Sequence, residues 1–266
     1  MLRQARDLAL LKKEYWADDA LERIAWAQAK AGQFMDAENT ITLIDSARQD
    51  QAWGIVGRQV ANAGDLDGAL SAAQKIYTIS WKRHVLIPVA EQKARQGQFQ
   101  KAREIAESLA DEFASREVMA AIAKVQAQQG DIAGALETAS VASRENPYIL
   151  GGILGEQVKS GDVQGARERA LAFKEGGLGS YALLGIVSTQ LEQKDLAGAQ
   201  ATAELMKAEH LPQERGRAHA TALAWKELAL AQTQVKDLRG AKHSVGMALN
   251  AAKSMQPSWV KDDIMW

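Results

Sequence analysis

Four histidines, 33 carboxylates and one glycine-rich run are the residues of this 266-residue chain whose types can do chemistry. A phosphate loop needs G-x-x-x-x-G-K-[ST], a serine nucleophile elbow G-x-S-x-G, and a helical zinc site H-E-x-x-H, and the chain contains none of them. The nearest approach to a nucleotide loop, Lys174-Glu175-Gly176-Gly177-Leu178-Gly179-Ser180, lacks the spacing and a preceding strand, so it reads as a link between helical units. His84, His210, His219 and His243 never pair at metal-binding helical spacing and are expected at the surface. Glu104, Glu107 and Glu137 are expected to solvate outward helix faces. With no cysteine there is no thiolate ligand, disulfide or thiol nucleophile, and both cytoplasm and periplasm remain open. The expectation is a protein with no catalytic, cofactor-binding or metal-ligating residue.

Composition points to helices. Hydrophobic residues make up 47% of the chain, aromatics only 6%, and prolines number four. That balance suits helices packed closely through alanine, with almost no strand. The 32 basic residues nearly balance the acidic ones and are interspersed with them, so no field gathers phosphate backbones or anionic lipid. Nucleic acid is therefore not expected as the ligand. No apolar run approaches the ~18 residues of a membrane span, so a soluble chain without membrane insertion is expected.

The elements that position these side chains repeat. GDLDGAL (64–70) returns as GDIAGAL (130–136), and the looser form G-[D/Q]-apolar-x-x-A recurs at Gly32, Gly64, Gly97, Gly130 and Gly161, with Lys194 and Lys236 in the glycine's place. A period near 33 residues marks an array of stacked units. Eight residues before each bend stand Ile24, Val56, Val89, Ile122, Ile153, Ile186 and Leu228; eleven before stand Leu21, Trp53, Leu86, Met119, Leu150, Leu183 and Trp225. Seven before, the residue is mostly Ala or Gly, and five after the bend it is always Ala. This rhythm predicts two amphipathic helices per unit joined by a tight turn. The bend glycine is expected to be left-handed and the following Asp to cap the second helix. Trp53 and Trp225 are expected in the core. Pro88 falls inside the expected first helix of unit three, which either starts late or bends there.

With its preceding VMAAIAKV, the stretch QQGDIAGALETASVASRENP (128–147) resembles a tetratricopeptide repeat, and Trp53, Val56 and Gly57 match the family's aromatic, aliphatic and small positions. The resemblance covers about residues 17 to 254. It implies an all-α fold, a right-handed α-solenoid of seven helix-turn-helix units: 17–48, 49–81, 82–114, 115–146, 147–178, 179–211 and 212–254. The last has an extended first helix from near Pro212, residues 1–16 form a capping helix or truncated repeat, and 255–266 form a tail. All belong to one domain.

In that family a protein or peptide lies along the first helices. Carrying the ligand rows over by register selects positions six and thirteen before each bend, together with the adjoining Glu22. The groove is then Glu22, Trp26, Arg58, His84, Glu91, Lys124, Tyr148 and Tyr181. The resemblance implies a non-enzymatic scaffold, an assembly or adaptor factor, holding a protein or peptide segment of mixed charge. Two other readings stay open: a regulatory or small-molecule-binding subunit of an enzyme complex, and an RNA-reading helical repeat. Gly151, Gly152 and Gly155 either bring two helices close or admit a partner's backbone. The tail SWVKDDIMW, after Pro257, either covers the end of the last hairpin or mediates self-association.

Overall fold

The computed structural model describes residues 4–7, 16–143, 146–173, 177–206 and 216–255. Beyond a helical turn at 4–7, the described residues form fourteen helices and no strand. They are α1 (Ala17–Lys30), α2 (Phe34–Ile41), α3 (Ser46–Asn62), α4 (Leu66–Gln74), α5 (Ile79–Arg95), α6 (Phe99–Glu107), α7 (Glu112–Gln128), α8 (Ile132–Ser143), α9 (Tyr148–Lys159), α10 (Val163–Ala172), α11 (Leu178–Glu192), α12 (Leu196–Glu204), α13 (Arg217–Gln234) and α14 (Leu238–Lys253). Consecutive helices pair into seven hairpins, α1–α2 to α13–α14.

The chain divides into two units, Met1–Ile122 and Ala123–Trp266. In the first, α1 packs on α2 and α3, α3 on α4 and α5, α4 on α5, and α5 on α6. In the second, α8 packs on α9, α9 on α10 and α11, α10 on α11, α11 on α12 and α13, α12 on α13, and α13 on α14. Within each unit, helices thus pack chiefly on their sequence neighbours, and first helices also on the first helix of the next hairpin. No described helix is long and apolar enough to cross a membrane.

Each bend is built alike. Gly32, Gly64, Gly97, Gly130 and Gly161 have φ between 74° and 97°, and Lys194 and Lys236 hold φ of 62° and 63°. At every bend the N–H of the following residue reaches back five positions: Gln33 to Gln28, Asp65 to Val60, Gln98 to Lys93, Asp131 to Gln126, Asp162 to Gln157, Asp195 to Gln190 and Asp237 to Gln232, at 2.8–3.2 Å. This is the left-handed helix stop that satisfies carbonyls the helix leaves open. A lysine there carries a Cβ that glycine lacks, a strain of roughly 1 kcal/mol. Lys194 and Lys236 are exposed. Lys194→Gly is therefore expected to raise the urea midpoint by the equivalent of ~0.5–1 kcal/mol, with Lys236→Gly adding to it. A lower midpoint in the single variants would reject the strain argument.

The second glycine of the GD-x-x-G phrase has a separate cause. Asp65, Asp131, Asp162, Asp195 and Asp237 each accept, at 2.8–2.9 Å, the N–H of a glycine three residues on: Gly68, Gly134, Gly165, Gly198 and Gly240. A Cβ on any of these glycines would run into the capping carboxylate. Gln33 and Gln98, at the bends without Asp, make no side-chain cap, and three residues after them stand Asp36 and Lys101. At these bends the capping Asp and a bare N3 position therefore occur together, whereas at the start of α7 Asp111 accepts from the N–H of Ala114.

The core follows the predicted rows. The residues seven and eight before the bend are buried in all seven hairpins, as is the Ala five after it. Trp53 and Trp225 are buried. Met119 departs from its row and is half-buried. α5 begins at Ile79 and continues through Pro88, so the late start is corrected: Pro88 lies mid-helix. Leu178, Gly179 and Ser180 open α11 behind a left-handed Gly177, and so belong to a helix, where a link was expected. Lys174–Gly176, Pro212 and residues 256–266 lie outside the described residues, as does His210.

In five of the seven hairpins polar atoms enter this core at the same place. Four residues before the bend, Gln28, Gln126, Gln157, Gln190 and Gln232 are buried. In four of these hairpins the Gln Oε1 accepts from a hydroxyl twelve residues on: Thr40, Thr138, Thr202 and Ser244, at 2.6–2.7 Å. Where Asp follows the bend, the same amide can donate to it, as Gln126 does to Asp131, Gln157 to Asp162 and Gln190 to Asp195. One side chain thus ties the end of the first helix to the start and middle of the second. Pairing offsets the cost of burying these groups, although Gln28 Nε2 and Gln157 Oε1 have no partner.

Candidate functional site

The eight groove candidates all sit on first helices of their hairpins, five in the first unit and three in the second. In the first unit, Trp26 on α1 is 39% exposed, and the Lys30 Nζ lies 5.0 Å from its ring centroid, one turn further along the same helix. That cation over an indole face is an attraction of about 0.5–1 kcal/mol at an exposed site, and it presents an aromatic flanked by charge. Glu22, one turn earlier, is half-buried; it accepts from Gln51 Nε2 at 3.0 Å and lies 4.0 Å from Arg48. Burial pushes its carboxyl above the ordinary range, against the pull of Arg48. Arg48 in turn bonds Asp19 at 2.5 Å, bringing α3 onto α1. Arg58 on α3 is exposed, and Glu91 on α5 is half-buried.

His84 on α5 is half-buried with its ring 5.3 Å from that of Trp81, so the expectation of a surface histidine is corrected. The cause is α5 itself, which starts early enough to place Trp81 three residues before His84. His219 is likewise half-buried against Tyr181, while His243 is exposed and meets the edge of Trp225. Glu104, Glu107 and Glu137 are exposed.

In the second unit, Lys124 on α7 is exposed. Tyr148 on α9 and Tyr181 on α11 meet edge to face, centroids 4.8 Å apart, and Tyr148 is 51% exposed. Burial raises the Tyr181 hydroxyl above its usual range, and a hydrogen bond with Tyr148 adds to the shift. The Tyr181 and His219 ring centroids lie 6.4 Å apart, extending the contact to α13. Register had pointed to Leu223 in that hairpin, so His219 was missed; its distance from the bend exceeds that of its counterparts, and no periodic row reaches it. A polar link also joins α11 to α13, where Ser188 Oγ donates to Glu227 Oε2 at 2.6 Å.

The row six before the bend is exposed or half-buried except at Gly155, which is buried against Thr189. The glycines of α9 divide by role. Gly151 and Gly185 bring the backbones of α9 and α11 together, Gly155 leaves room for Thr189, and Gly152 is exposed with nothing within 4 Å of a would-be Cβ. Among the described residues no group of three or more His, Asp or Glu side chains converges as a metal site.

These features define an all-helical protein of sequentially packed hairpins whose first helices carry exposed aromatic and charged side chains beside buried rows. Comparison with protein-family models, curated proteins and solved structures finds no match.

Proposed function

We propose that the chain is a tetratricopeptide-like, right-handed helical-repeat scaffold that binds a protein or peptide segment along its first helices and performs no chemistry of its own, as an assembly or adaptor factor does. One observation carries the reading: the exposed Trp26, with Lys30 against its face, stands on a helix whose next rows, Ile24 and Ala25, are core. An amphipathic ring on a wet face, beside movable charge, is the composition of a binding anchor. Arg58 in the same unit, and Lys124 and Tyr148 in the other, add exposed charge and aromatic area on first helices. With both signs present in the first unit, the partner that fits is a mixed-charge segment with an apolar or aromatic side chain for the Trp26 face.

The test is capture from a lysate by wild type against a Trp26→Ala, Arg58→Ala, Lys124→Ala triple variant. Partners retained by wild type are expected to be depleted about tenfold or more by the variant, because anchors dominate interface energy. All three positions are exposed, so the melting temperature should stay within about 2 °C of wild type. Undiminished capture of every partner rejects these first-helix positions as binding residues.

A further inference from the structure

The last described hairpin, α13–α14, leaves exposed the positions that its counterparts bury. Two residues after the bend, Phe34, Leu66, Phe99, Ile132, Val163 and Leu196 are buried or half-buried; the seventh, Leu238, is 70% exposed. Nine after the bend, Ile41, Ala73, Ala106, Ala139, Ala170 and Ala203 are buried, whereas Val245 is 47% exposed. Where the packing is described, the first helix of the next hairpin lies on these second helices: α3 on α2, α5 on α4, α9 on α8, α11 on α10 and α13 on α12. α14 has no such neighbour among the described residues. Leu238, Val245 and Leu249, at helical spacing with Lys242 between the first two, leave a largely apolar stripe where a terminal repeat is usually polar.

We infer that residues 257–266 of this chain dock on that stripe. The segment lies outside the described residues, and three observations point to it. Second and first helices are most often separated by four residues, 42–45, 75–78, 108–111 and 144–147. Four residues after Lys253 stands Pro257, as Pro147 stands four after Ser143, immediately before α9. In that alignment Trp259, Val260 and Ile264 take the places of Ile149, Leu150 and Leu154, of which the last two are buried and the first packs on the core. Asp263 takes the place of Ile153 and departs from the row. Charge agrees with the docking: α14 carries Arg239, Lys242 and Lys253 and no acidic residue, while the segment carries Asp262 and Asp263 against the single Lys261.

The absence of cysteine makes the test direct. Val245→Cys, introduced into the full chain, is followed by its reaction rate with an aromatic disulfide reagent. The rate is compared with that of the same chain bearing Trp259→Asp, Val260→Asp and Ile264→Asp. The intact chain is expected to react about tenfold more slowly, at a rate independent of protein concentration. Asp262→Lys with Asp263→Lys, which leaves every apolar side chain in place, is expected to accelerate the reaction about threefold at low salt. A Lys101→Cys reporter in the first unit should not distinguish the backgrounds, which separates undocking from general unfolding. Equal Val245→Cys rates in all backgrounds overturn the inference. So does protection that grows with protein concentration, because it assigns the stripe to a second copy of the chain.

Discussion

Gly185→Ala is expected to destabilise the second unit by about 3 kcal/mol, lowering the midpoint of thermal unfolding by roughly 10 °C. A methyl group at Gly185 would fall onto the Cα, C and O of Gly151, and one at Gly151 would come within 2.9 Å of the Gly185 Cα and 2.8 Å of the Tyr181 carbonyl oxygen. These are backbone atoms of two helices, and no rotamer change moves them aside. α9 and α11 would have to separate, opening a core that holds Leu150, Ile153, Leu154, Leu183, Ile186 and Val187. The separation would also strain the Tyr148–Tyr181 contact at one end and the Thr189 packing against Gly155 at the other. Gly152→Ala, one residue from Gly151, is the control. It is exposed with open space around it, so it should gain roughly 1 kcal/mol from helix propensity alone. Calorimetry of the three proteins decides the matter: an unchanged midpoint for Gly185→Ala would show that the two backbones do not touch.

The second large effect is expected at the Gln28–Thr40 pair. Thr40→Val should cost about 2 kcal/mol, because it leaves the buried Gln28 carbonyl with no donor. Adding Gln28→Leu to it should restore most of that loss, because both members of the pair are then apolar, and because Gln28 Nε2 has no partner to lose. Hairpin 2 already has this composition at the same two places, with Val60 and Ala72 both buried. Urea denaturation of both single variants and the double variant closes the cycle. Additive losses would mean the pair is not a unit and the amide finds another partner when the hydroxyl is gone.

The repeat rhythm made the helices legible because burial is periodic: Ile24, Val56 and their counterparts are apolar for the same reason in every hairpin. The bends were legible because left-handed backbone selects glycine. The Gln–hydroxyl pairs carry a signal of their own in four hairpins, Gln four before the bend and Thr or Ser eight after it. A search for apolar rows passes over them, because they are polar residues inside the core. The second glycine of the phrase was legible as a letter, and its reason came only from the capping carboxylate. The candidate site was legible position by position along the first helices, since exposure follows register. Which side chains meet was not: the Tyr148–Tyr181 contact depends on the backbone approach at Gly151 and Gly185, and His219 joins it from outside the periodic rows. His84 was misplaced because its neighbour Trp81 precedes the sequence-drawn boundary of its unit.

The linkage between a capping aspartate and an unsubstituted position three residues on has a practical reading. Five hairpins hold the two residues as a unit, so changing either alone disrupts a helix start, whereas exchanging both together is the tolerated route. Hairpins 1 and 3, whose second helices have no side-chain cap, already carry side chains at that place. A fluorophore or affinity handle belongs at Asp36 or Lys101, where the entry to the second helix has no carboxylate to displace.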